Sequence, residues 1–153
     1  MPTPTERLAQ CREGREPALV ATLSVGHLVL APGQYLRGYC LLLADPQVDQ
    51  LATLPEPDQA EFLAVMARVG SVIRTVTGAV RMNYGIYGNL DPFLHAHLWP
   101  RFADEAEALR TLPPLSFPAE VREAASVRFS LEAHGPLMEA LRAGLRERNI
   151  VRS

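Results

Sequence analysis

Between two prolines the chain reads Pro92-Phe93-Leu94-His95-Ala96-His97-Leu98-Trp99-Pro100. Alternation at a period of two suits a β-strand, because a helix would scatter the same residues around its circumference. As a strand the stretch sends Leu94, Ala96 and Leu98 to one face and Phe93, His95, His97 and Trp99 to the other. The first face calls for an apolar layer beneath it. The second stands two imidazoles side by side, and that pairing suits chemistry: a neutral imidazole is a nucleophile near neutral pH, and its neighbour can hold or pass a proton. A purely structural pair and a His-x-His metal site are the competing readings. The metal site needs a third and usually a fourth ligand, and none stands beside the pair in the sequence.

The segments before this strand supply partners for it. Residues 18–25 and 27–30 are short β-type runs separated by Gly26, a hairpin pattern that places His27 at the turn as a surface residue. Residues 38–44 form a third apolar run, continuous enough to be a strand buried on both faces. A short helix is expected over 48–54. A long one is expected over 59–77, with Asp58 as its cap, Glu61 as capping-box partner, and Phe62, Val65, Met66, Val69, Val72, Ile73 and Val76 on one stripe. Gly78 ends it. Residues 79–87 read as a strand with Arg81, Asn83, Gly85 and Tyr87 on one face, joined to the histidine strand by so short a connection that the two pair antiparallel. The polar N-terminus carries a short helix over 5–11. After Arg101 come a helical pattern over 103–112, a proline-stiffened linker at Pro113, Pro114 and Pro118, and a stretch over 121–131 that fits helix or strand. A final amphipathic helix opens at Gly135-Pro136 with Leu137, Leu141 and Leu145 on its stripe.

Composition narrows the chemistry. With 153 residues, 48% of them hydrophobic and 21% charged, the chain is one globular domain able to bury a core unaided. The net charge of −2 argues against a nucleic-acid surface, and all 15 basic residues are Arg, so no Lys is present for Schiff-base work. Cys11 and Cys40 are far apart and indicate neither zinc nor redox chemistry. With no signal-like segment and no membrane-length apolar run, a cytoplasmic location and no membrane partner are expected.

The histidine strand resembles the signature of the histidine triad (HIT) nucleotide hydrolases and transferases, His-x-His-x-His followed by two apolar residues and often by Pro-Arg. His95, His97 and Pro100-Arg101 match, and Phe93 stands at the first triad position. Gly38-Tyr39 resembles the family's Gly-His before a hydrophobic strand. Asn83 and Gly88-Asn89 resemble its phosphate-contacting amides, and Ala31 falls where the family places an Asp or Asn for the ribose, with Gln34 the nearest substitute.

The resemblance spans residues 18–101 and implies an α+β fold. Its parts are a five-stranded antiparallel sheet, one long and several short helices, and a two-fold homodimer with the 59–77 helix at the interface. It divides the chain into an N-terminal extension, 1–17, a HIT-like core, 18–103, and a C-terminal helical extension on the same domain, 104–153.

The chemistry it implies is cleavage at the α-phosphate of nucleoside phosphoramidates or dinucleoside polyphosphates. A covalent nucleotidyl-His95 intermediate forms, His97 assists, Asn83, Asn89, Gln34 and Arg101 contact substrate, and neither metal nor cofactor takes part. Phe93 implies reduced turnover, and a nucleotide-binding module with little or no turnover is the alternative.

Overall fold

Residue alternation in the histidine strand sorts the molecule into two layers of side chains on either side of one sheet. The structure, a computed structural model, describes residues 2–151. Met1, Arg152 and Ser153, the ends of the expected terminal extensions, lie outside the described residues. Five strands, β1 (Leu19–Leu23), β2 (Gly26–Leu30), β3 (Cys40–Ala44), β4 (Arg81–Ile86) and β5 (His95–Arg101), form one antiparallel sheet in the order β1-β2-β3-β5-β4. The α+β architecture and the five-stranded antiparallel sheet are those expected from the sequence.

Leu94, Ala96 and Leu98 join Leu28, Leu30, Cys40 and Leu42 on one face of the sheet. Against them lie Phe62, Val65, Val69, Val72 and Ile73 of the long helix α2 (Glu56–Thr77). The last helix, α5 (Leu131–Glu147), extends that layer with Leu137, Met138, Leu141 and Leu145. On the opposite face Phe93 and Trp99 share a second core with Val29, Leu41 and Leu43. This core is covered by Leu8 and Cys11 of the N-terminal helix α1 (Pro4–Arg12) and by Phe117. The histidines therefore sit in the second layer, between α1 and the segment that follows β5.

Arg7 ties α1 to that layer from within. It is buried, its Nε and Nη2 donate to the two carboxylate oxygens of Glu16 at 3.0 and 3.1 Å, and Nη2 also donates to the Leu30 carbonyl at 2.8 Å. Burial makes such a pair costly to break from one side, because the survivor keeps its charge without a partner.

Several local expectations need correction. His27 is not a surface residue of the turn: the turn is Ser24-Val25, so His27 falls inside β2 opposite Thr22. There it is 7% exposed, bonded to Thr22 Oγ1 and the Asp45 carboxylate, each at 3.1 Å. Gly26 opens β2 at φ 147° because a Cβ there would lie 1.9 Å from the Leu43 carbonyl oxygen of the adjoining strand.

Helix α2 starts at Glu56 with Pro55 at its cap and no side-chain capping bond, so Asp58 does not cap it. Pro57 fits the first turn, which carries the helix back past Asp58, and Glu61 accepts from Ser24 Oγ instead. Helix α5 begins at Leu131 under a Ser130 cap, and the exposed Pro136 is tolerated inside it. The 48–54 segment holds only a 3-10 turn, Leu51–Thr53. Of 103–112 only Glu107–Arg110, here α3, is helical. The undecided 121–131 stretch follows a short α4 (Ala119–Arg122) and holds a 3-10 turn, Ala125–Val127.

Candidate active site

Each functional side chain is delivered by the strand period and one local hydrogen bond. His95 is buried at 4% exposure, and its Nδ1 lies 2.8 Å from the carbonyl oxygen of Phe93. A carbonyl only accepts, so Nδ1 carries the proton and Nε2 keeps a lone pair. Two residues on, His97 lies beside it with ring centroids 5.1 Å apart. The Trp99 indole lies against the other side of His97 at 4.8 Å, and Phe93 flanks His95 at 5.1 Å. The four rings form a row along one face of β5.

Neighbouring strands hold that row from both sides. Across β3, the Tyr39 hydroxyl reaches Nδ1 of His97 at 2.6 Å. Across β4, the ring of Tyr87 approaches His97 with centroids 5.9 Å apart. Burial, followed by the nearby His95, pushes the pKa of His97 down to about 4, so its ring is neutral near pH 7. Burial raises the Tyr39 phenol well above its usual range and keeps its proton on.

The histidines open into a pocket of about 340 Å³ whose other walls include Pro4, Tyr87, Asn89, Leu90 and Leu115. Its size falls within the range typical of small-molecule sites. Thr5 anchors one rim by donating from its backbone N–H at 2.6 Å and from its hydroxyl at 2.5 Å to the Asp91 carboxylate. Leu90, fully exposed, stands at the tip of that rim loop.

Of the residues selected from the sequence, His95, His97 and Asn89 line this pocket. Asn83 borders the adjoining cavity, which shares Tyr87 with it. The Asn83 amide oxygen accepts from Arg101 Nη1 at 2.9 Å, which leaves its NH₂ free of partners among the described residues.

Gln34 and Arg101 are both engaged by other groups of the protein. Gln34 is buried: its amide donates to the carbonyls of Ala31 at 2.9 Å and Tyr39 at 2.8 Å, and its oxygen accepts from Gly38 N–H at 2.9 Å. It clips its own loop shut. Arg101 is likewise occupied, paired with Glu105 at 2.8 Å and donating to the carbonyls of Leu109, Arg110 and Leu112. It also lines the cavity that Asn83 borders, and bonds Asn83 there.

Among the described residues, no group of three or more His, Cys, Asp or Glu side chains is gathered as a metal site would require. The sequence shows Trp99 and Tyr87 on the faces they occupy, and Tyr39 as the family's Gly-His variant. Pro4 and Leu115 arrive from remote segments, and neither carries a local signal.

No family model matches the chain, and no curated protein matches it. Solved structures do. A histidine triad protein from Sinorhizobium meliloti superposes with a TM-score of 0.70 at 21% identity, over 88% of this chain and 93% of that one. A hypothetical histidine triad nucleotide-binding protein from Sulfolobus tokodaii also gives 0.70, at 16% identity over 92% and 91%. A zinc-bound histidine triad family protein from Mycobacterium smegmatis gives 0.61, at 20% identity over 90% of each chain. The chain has the fold of the histidine triad proteins.

Proposed function

We propose that this protein is a nucleotidyl hydrolase or transferase that cleaves at the α-phosphate of nucleoside phosphoramidates or dinucleoside polyphosphates. One observation carries the reading: a backbone carbonyl fixes the proton of His95 at Nδ1, leaving Nε2 as a free nucleophile in a nucleotide-sized pocket beside a second imidazole.

In the proposed reaction the Nε2 lone pair of His95 attacks the α-phosphorus, a P–N bond forms, and the bond to the leaving group breaks with its electron pair going to that group. Water or a second acceptor then attacks phosphorus and releases the imidazole, with Nδ1–H unchanged throughout. Dividing one displacement into two lowers each barrier. In this reaction the Tyr39 hydroxyl, 2.6 Å from Nδ1 of His97, serves as donor, and the His97 N–H at Nε2 then donates to a phosphoryl oxygen. The neutral amides of Asn89 and Asn83 add donors for charge that builds in the transition state. Asn83 is aimed by Arg101.

A second reading is a nucleotide-binding module with little turnover. It is favoured by Phe93, 1% exposed and unable to hydrogen-bond at the first triad position, and by Ala31, which offers no side-chain acceptor to a ribose. A screen of labelled nucleotide conjugates, scored for product and for protein-bound label, separates the two. Product formation supports the enzyme, and tight binding without product or adduct supports the module.

The assembly belongs to the same proposal: a two-fold homodimer acting in the cytoplasm. β4 is an edge strand with Val80 and Tyr84 exposed along it, which leaves an unpaired backbone rim suited to a second copy. Among the described residues no helix is long and apolar enough to cross a membrane.

A further inference from the structure

A second cavity lies directly against the histidine pocket. It is an open cavity of about 490 Å³ and shares Leu115 with that pocket. On the common side it is walled by Tyr39, whose hydroxyl holds His97. Tyr35, Arg122, Glu123 and Arg128 complete the lining that matters here.

The far wall is built and held in register. It comes from residues 122–128, well beyond the stretch that resembles the triad family, and it is fastened to the loop between β2 and β3. Gln34 N–H donates to the Val127 carbonyl at 2.6 Å, and Phe129 N–H donates to the Pro32 carbonyl at 2.9 Å, with Gly33 and Arg128 paired between them. A Cβ on Gly33 would stand 3.0 Å from the Arg122 carbonyl oxygen, so the two backbones approach as closely as a bare glycine permits. This pairing fixes where both guanidinium groups start from.

The chemistry of the lining is one-sided. Arg122 is braced by its Nε, which donates to the Phe117 carbonyl at 2.8 Å, and its Nη edge meets only a long contact to Glu123. Among the described residues Arg128 has no carboxylate within ion-pair distance. Glu123, the one acid in the lining, lies 3.9 Å from Arg122 Nη1 and is mostly exposed. Two aromatic rings, Tyr35 and Tyr39, meet edge to face at 5.6 Å and form an apolar corner opposite the cations. A ring system fits such a corner. An anionic oxygen cluster fits the guanidinium groups, whose forked donors match phosphate geometry.

We infer that this cavity is a second substrate pocket for a phosphate-bearing aromatic group, so that the molecule attacked by His95 carries a further phosphate on the side of Tyr39. The inference rests on the proposed function above and deepens it by assigning a further phosphate of the substrate to Arg122 and Arg128. The extra phosphate can come from two sources: the sugar of the same nucleotide, or the far end of a dinucleoside polyphosphate. Arg122 and Arg128 are then specificity residues, acting on affinity and leaving the chemistry at His95 alone.

Equilibrium binding tests this without requiring turnover. Full-length protein is titrated with adenosine 5′-monophosphate, adenosine 2′,5′- and 3′,5′-bisphosphates, a diadenosine polyphosphate and phenyl phosphate. The same series is run on the Arg122→Gln/Arg128→Gln double variant, with a circular dichroism spectrum to show that it folds.

Wild type is expected to bind one of the phosphate-extended ligands on the order of tenfold more tightly than the monophosphate, and the double variant to lose that margin while holding the monophosphate unchanged. Preference for a bisphosphate assigns the sugar, and preference for the diadenosine compound assigns the far end. Monophosphate binding with no margin, or a margin that survives in the double variant, overturns the pocket and leaves the nucleotide reading intact. Arginine-dependent binding of phenyl phosphate with no nucleotide bound removes the nucleotide reading and leaves the pocket. A double variant that fails to fold is replaced by Arg128→Gln alone, judged by the same margin.

Discussion

The imidazole of His97 and the indole of Trp99 lie 8° from parallel with centroids 4.8 Å apart, and the Tyr39 hydroxyl closes on the same imidazole at 2.6 Å. Two side chains from adjacent strands thus hold His97 in one orientation. A stacked ring fixes its plane, and a hydrogen bond fixes its rotation within that plane. This support comes from the residue just before β3 and from β5 itself, at a site where the Phe93 side chain can offer no hydrogen bond.

Removing the hydroxyl with Tyr39→Phe keeps the stacked ring and deletes one bond. A buried hydrogen bond of this kind contributes about 1 kcal/mol, so a roughly fivefold or larger fall in kcat is expected, with substrate KM little changed. Steady-state kinetics on a cleavable nucleoside phosphoramidate reads it. Unchanged kcat shows that Tyr39 does not orient His97 for the reaction.

His97 also makes stability depend on pH. Its folded pKa is pushed down to about 4 by burial, whereas an unfolded histidine titrates near 6.5. Between those values the unfolded chain binds more protons than the folded one, so stability falls as pH drops from about 6.5 toward 4 and is regained as pH rises. Urea unfolding at pH 7 and pH 4.5 should show a loss on the order of 2 kcal/mol that is reduced in His97→Gln. Asp45 and Glu105, whose pKa values are lowered, add acid sensitivity to both proteins, so the difference between them isolates His97.

Arg101 lies immediately after the pattern Leu98-Trp99-Pro100, and its resemblance to the family's Pro-Arg tail marks it as a substrate contact. In the fold it is a structural anchor, gathering Glu105, three carbonyls and the Asn83 amide around one buried guanidinium. Arg101→Lys cannot reproduce that fork. A loss of about 3 kcal/mol in unfolding free energy is expected, because Glu105 is left buried with a poorer partner. Thermal or urea unfolding checks it. A variant as stable as wild type but with weakened nucleotide binding would make Arg101 a phosphate ligand.

Gln34 gives a sharper contrast. Gln34→Ala orphans the Ala31 carbonyl and the Gly38 N–H inside a closed loop, while the Tyr39 carbonyl keeps the Ala31 N–H, so destabilisation on the order of 2 kcal/mol is expected with nucleotide affinity of the folded protein unchanged. Calorimetric unfolding and nucleotide titration are read side by side. Weakened binding at unchanged stability would make Gln34 a sugar contact after all.

The period-two reading of residues 93–99 was legible because strand alternation is imposed by the backbone and every residue in the run obeys it. The 38–44 strand was legible for another reason, since a continuous apolar run marks a strand covered on both faces, and all five residues of β3 are buried. The surroundings of Gln34, Arg101 and His27, the last expected at the surface, were not legible for one shared reason: each is buried by a partner far along the chain or by backbone groups that carry no side-chain signature. Gln34 answers carbonyls in its own loop, Arg101 answers carbonyls of a turn around α3, and His27 answers Asp45 from the end of the next strand. The Asp58 cap failed because Pro57 lets the helix begin earlier. The walls contributed by Pro4, Leu115 and Arg128 depend on where terminal segments dock, and spacing within one segment does not encode that.

The central claim is tested most directly by rapid mixing of the protein with a phosphorus-labelled nucleoside phosphoramidate, an alkaline quench, and mass mapping of the labelled peptide. The account predicts a nucleotidyl group on His95 that forms before product and is absent, together with turnover, in His95→Ala. Label on any other residue, or turnover that persists in His95→Ala, contradicts it.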